Sequence, residues 1–174
     1  MTAALETPPP HPRGNDGGIR LPFDPYVMLG VSIFLFLVIK CWTARLDPHE
    51  VIYLIGSRRL ADPGFLAGDF TWANLPPTSA LFDHLIAPLW RYCDEFTIVN
   101  LGRALTWGLF AWSLAFLGKT LRLPPVAVFL GFATWLLWGQ TIGSCGFLFE
   151  GFQVKSFSYP LMFFSIALAM RGQV

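Results

Sequence analysis

The chain has 174 residues, 54% of them hydrophobic and 13% charged, with a net charge of +1. That apolar load exceeds what a soluble domain of this length can hide, and the near-neutral charge without a Lys/Arg-rich run excludes a nucleic-acid surface. A mean hydropathy of +0.53, with 17 Phe and 7 Trp, points to an integral membrane protein, since aromatics crowd membrane spans and their interfaces.

Residues 1–24 are rich in Pro and Gly and have no apolar centre, so they predict a disordered tail rather than a signal peptide. The first predicted span is 26–42, started by Asp24-Pro25 and flanked by Tyr26 and Trp42, with Lys40 near its far end. A charge-bearing loop follows over 43–95. Further spans are predicted at 96–118, 124–142 and 154–170, the middle two joined by the polar turn "KTLRLPP". The predicted fold class is therefore all-α: about four transmembrane helices over 25–174, with a structured extracytoplasmic loop of interfacial helices. The last span stops at its first charged residue, Arg171, which suggests the front part of a larger protein.

Charge sets the orientation weakly. Arg13, Arg20, Lys119, Arg122 and Arg171 fall on one side, and Arg45, Arg58, Arg59, Arg91 and Lys155 on the other. Short loops weigh most in the positive-inside rule, so the turn at 119–123 puts the N-terminus in the cytoplasm. Span parity then places the 43–95 loop and the 143–156 loop on one outer face.

Within the long loop, "DPHEVIYLIGSRRLA" reads as an amphipathic helix of about three turns, with Val51, Ile52, Leu54 and Ile55 apolar. Asp62-Pro63-Gly64 ends it. A second helix begins at Thr78/Ser79, presents Leu81, Phe82, Leu85 and Ile86 as one face, and stops near Pro88.

The acids at the head of the first loop helix have two readings. Asp47 suits an N-cap, Pro48 position N1, and Glu50 position N3, an arrangement like a capping box. The same placement suits a carboxylate that takes a proton from an acceptor hydroxyl. Asp69, after Gly68, is a turn acid or a second site acid. Arg58 and Arg59 are interfacial anchors or phosphate ligands. Arg103 lies within the second predicted span, where an ionisable group is a functional candidate by default. Glu150 and Lys155 flank an apolar stretch before the last span, as a surface pair or as an acid and a phosphate-binding ammonium. His49 and His84 lack metal-ligand spacing. A divalent metal is possible, but nothing in the sequence requires a cofactor. Cys41, Cys93 and Cys145 show no CxxC pattern.

The segments "RLDPHEVIYLIGSRRLADPGFLAGDF" (45–70) and "GFLFEGFQVKSFSYPLMFFSIALAM" (146–170) resemble the N-terminal part of the polytopic GT-C glycosyltransferases, including uncharacterised bacterial members. That resemblance implies transfer of a sugar from a polyprenyl-phosphate carrier to an acceptor on the outer face of a bacterial inner membrane. By position it makes Asp47 or Glu50 the base, Asp69 a second acid, and Lys155 or Arg103 the group that meets the carrier phosphate. The family has many more spans than this chain. The competing expectation is a non-catalytic integral membrane protein whose outer loop binds a membrane lipid or a protein partner.

Overall fold

A computed structural model describes residues 24–46, 48–70, 79–138 and 152–172, apart from the side chain of His49. Asp47 and Glu150, the tail before Asp24, residues 71–78 and 173–174, the end of the third predicted span (139–142) and most of the 143–156 loop (143–151) lie outside the described residues.

Among the described residues the chain forms six α-helices: α1 (Pro25–Cys41), α2 (Pro48–Ala61), α3 (Ala80–Ile86), α4 (Glu95–Thr120), α5 (Pro125–Trp138) and α6 (Val154–Met170). A 3-10 turn, Ala87–Arg91, follows α3 directly.

The helical expectation holds, but the transmembrane one does not. No helix among the described residues is long and apolar enough to cross a membrane. At about 1.5 Å per residue, the 17-residue α1 and α6 reach about 26 Å, short of an apolar layer about 30 Å thick. The 26-residue α4 is long enough, but Glu95, Asn100, Arg103 and Lys119 dilute its apolar character. The four predicted spans, and the integral-membrane placement built on them, are corrected accordingly.

The helix ends follow local chemistry. Asp24 caps α1 by accepting from the Tyr26 amide at 2.9 Å, with Pro25 at the first helical position. Asp94 caps α4 through the Thr97 amide at 2.7 Å. Both carboxyls are held below the usual range, Asp24 chiefly by Lys119 and Asp94 by Thr97. α2 ends at Ala61, directly before the Asp62-Pro63-Gly64 signal, and Pro88 coincides with the change from α3 to a 3-10 turn.

Helix α4 is central and packs against α1, α5 and α6. Leu29, Ile33 and Leu37 recur every fourth residue on α1 and are buried with Trp107, Phe110, Ala111 and Ala115 of α4, as an i, i+4 stripe requires. Gly30 faces Ala111 and Ala115 of α4, where a Cβ would make only ordinary contacts. Truncating a wholly buried residue such as Leu37 to Ala costs about 2–5 kcal/mol. A second core, Leu54, Phe82, Ile86, Ile98, Val99 and Phe152, joins α2 and α3 to the first turns of α4 and the entry to α6.

The second core corrects the faces expected from sequence. On α3 the buried residues are Phe82, Asp83 and Ile86, while Leu81 and Leu85 are exposed. On α2 the buried residues include Glu50, Leu54 and Ser57, and Ile52 is exposed. In both helices a polar residue points inward because a partner element offers it hydrogen bonds or a close backbone.

Candidate functional site

The most deeply buried charges are Glu50 and Arg103, at 0% and 1% exposure. The start of α2 carries Glu50 and the third turn of α4 carries Arg103. Arg103 Nε donates to Glu50 Oε1 at 2.7 Å and Nη2 donates to Oε2 at 2.6 Å, a bidentate pair. Arg103 Nη1 donates to the Thr43 carbonyl at 2.7 Å, and Nη2 to the Arg45 carbonyl at 3.1 Å. The Phe152 amide donates to Glu50 Oε1 at 2.6 Å. One ion pair thus ties together the α1–α2 linker, α2, α4 and the entry to α6. Both residues were expected at a site, Glu50 as a base and Arg103 as a phosphate ligand. The structure brings them together, but each answers the other's charge. A guanidinium this deep needs such a partner, since an isolated buried charge is prohibitively costly.

The other candidates do not converge on this pair. Arg58 pairs with Glu95 at 3.9 Å and stacks 4.1 Å over Phe65 and 5.2 Å over Trp90. It braces α2 against α4 and the 3-10 turn. Arg59 is half-buried later in α2, and Asp69 closes a turn in which its amide donates to the Leu66 carbonyl at 3.1 Å. Lys155 is half-buried in the first turn of α6. Arg59, Asp69 and Lys155 each have an interaction of their own. Among the described residues no three His, Cys, Asp or Glu side chains gather as a metal site.

Three features had little or no local signal. Asp83 is buried, and its Oδ1 has no hydrogen-bond partner among the described residues. Ser79 Oγ donates to Oδ2 at 3.3 Å, and burial pushes the carboxyl above the usual range. It presses on α2 where Gly56 leaves room; a Cβ there would lie 2.6 Å from Oδ2. Beside it, Trp90 Nε1 donates to Ser57 Oγ at 2.9 Å.

The third feature is a cleft of about 430 Å³ between α4, α5 and α6. Phe110, Val128, Gly131, Phe132, Tyr159 and Phe163 are among the residues that line it. Phe110 forms part of its wall, with Phe132 and Phe163 at ring distances of 5.7 and 5.6 Å. Apart from the Tyr159 hydroxyl and an indole, its wall is apolar. The size falls in the range of small-molecule sites, which are concave and mainly apolar with few polar groups. Compared with protein-family models, curated proteins and solved structures, the chain has no match in any of the three.

Proposed function

We propose that this chain is a non-catalytic helical protein that binds an apolar ligand, of the size of a lipid tail, in the cleft between α4, α5 and α6. The observation that carries the reading is the cleft itself: about 430 Å³ lined almost wholly by aromatic and aliphatic side chains. The binding role matches the non-catalytic expectation from sequence, but in the bundle rather than in the 43–95 segment. Glycosyl transfer from a polyprenyl-phosphate carrier is the lesser proposal. It needs a carboxylate free to accept a proton, and Glu50 is enclosed and engaged by Arg103 and the Phe152 amide. For that reading Asp69 and Asp47 are left as bases.

Gly131 supplies the test. Gly131 lines the cleft and a Cβ built there meets nothing within 4 Å, so Gly131→Leu is expected to take up part of the cleft. The uncharged fluorescent probe N-phenyl-1-naphthylamine is expected to bind the native chain and to lose tenfold or more affinity in Gly131→Leu, with far-UV circular dichroism unchanged. Val126→Ser, at an exposed position of α5 outside the cleft wall, is expected to leave binding intact. Equal affinity of native protein and Gly131→Leu refutes the reading. Sugar transfer from a lipid-linked donor that is lost in Asp69→Asn would favour the transferase instead.

A further inference from the structure

A second surface lies on the opposite side of α4 and is independent of the cleft. At about 100° per residue, Leu101, Leu105, Gly108, Trp112 and Lys119 fall within a strip about 60° wide. Leu101, Leu105 and Trp112 are all more than half exposed. From Leu101 to Lys119 the strip runs about 27 Å. It ends at a cavity of about 140 Å³ walled by Trp112 and Phe116 and rimmed by Asp24, Lys119 and Arg171.

The rim is built. Arg171 Nε donates to Thr120 Oγ1 at 3.1 Å, and its guanidinium lies 4.3 Å over the Phe116 ring. The two contacts fix the plane of the group. Among the described residues Arg171 has no carboxylate partner. Lys119 pairs with the Asp24 carboxylate and lies 5.8 Å from the Tyr26 ring centre. Two cations and one acid leave the rim with an excess of one positive charge. Lys119 and Arg171 also complement the C-terminal dipoles of α4 and α6, but that role requires neither a shared cavity nor an apolar wall.

We propose that this cavity binds the anionic head of a single-chain amphiphile, a phosphate monoester, with its chain lying along the Leu101–Trp112 strip. Arg171 presents a planar fork suited to phosphate oxygens, and Lys119 supplies a point charge. Asp24 already answers Lys119, so it competes with the incoming head. The exposed strip gives the chain apolar area that would otherwise face water.

The probe is dodecyl phosphate below its critical micelle concentration, measured by calorimetry on the whole chain. One molecule is expected per chain. Lys119→Gln and Arg171→Gln are each expected to weaken binding tenfold or more, and Arg171→Lys to restore part of it. Asp24→Asn is expected to tighten binding severalfold, because Asn still caps the helix but no longer competes for Lys119. Dodecyl maltoside is expected to bind at least tenfold more weakly, and so is inorganic phosphate. Equal binding of the maltoside would overturn the role of the charges. Equal binding of inorganic phosphate would reduce the site to a phosphate pocket and overturn the role of the strip. Unchanged binding in both Gln variants, each with native circular dichroism, would overturn the site. Gly131→Leu is expected to leave dodecyl phosphate binding unaltered, so this inference and the cleft reading fail separately.

Discussion

Replacing Arg103 by Met removes one side of the buried ion pair while keeping an unbranched side chain of helical propensity. Glu50 would then be left at 0% exposure without its cation, after losing two hydrogen bonds of 2.6 and 2.7 Å. Breaking a buried pair from one side costs about 3–5 kcal/mol, because the remaining charge is uncompensated. Against a typical total of about 5–15 kcal/mol, that is a large share. The double variant Glu50→Gln/Arg103→Met removes both charges and keeps a carbonyl oxygen for the Phe152 amide. It is expected to cost about 1–2 kcal/mol, less than the single change, because an ion pair replaced on both sides is close to neutral. Urea unfolding followed by far-UV circular dichroism measures each difference, provided the slope with denaturant stays constant. The reasoning is refuted if Arg103→Met costs under about 1 kcal/mol, or if the double variant is no more stable than the single one.

Other positions give sharper tests of single contacts. Gly102→Ala puts a Cβ into the Phe152 ring, so it is expected to cost about 1–3 kcal/mol in urea unfolding, whereas Gly131→Ala enters open space and is expected to add up to about 1 kcal/mol. Asp83 has a carboxyl raised by burial. Its contribution is fully present below the unfolded value of about 3.9 and is lost as pH rises through the raised folded value. Stability curves from pH 3 upward should therefore flatten in Asp83→Asn; an unchanged pH slope would count against a buried acid. Ser57→Ala leaves Trp90 Nε1 without its acceptor, and thermal unfolding is expected to register a loss of about 1 kcal/mol.

Much of the helical layout was legible because it is local. Asp24-Pro25, Asp62-Pro63-Gly64 and Pro88 each mark a boundary through backbone chemistry that needs no distant partner. The inward faces of α2 and α3 were less legible. Apolar spacing favoured Leu81 and Leu85, but the interior accepted Asp83 because Gly56 removed the side chain that would have blocked it. The membrane expectation rested on composition and on four apolar runs, but the helices those runs form are either too short, as α1 and α6 are, or diluted by polar residues, as α4 is. For the site, Arg103 alone in an apolar run was a sound signal that something unusual sits there. Its partner lies 53 positions away, beyond any local pattern, so the same residue that suggested a phosphate ligand proved to balance a carboxylate.

The ion pair also joins segments that are distant in sequence. Glu50 must meet Arg103 across 53 positions and the Phe152 amide across 102, so closing it joins chain segments that start far apart. Such contacts have a high loop-closure cost before they return any stabilisation. The contacts between α2 and α3 span fewer positions, so they are expected to form before the first turn of α2 meets the entry to α6. Hydrogen exchange at the Phe152 amide should therefore report the opening of two cores at once, and its protection should rank with the slowest amides of α4.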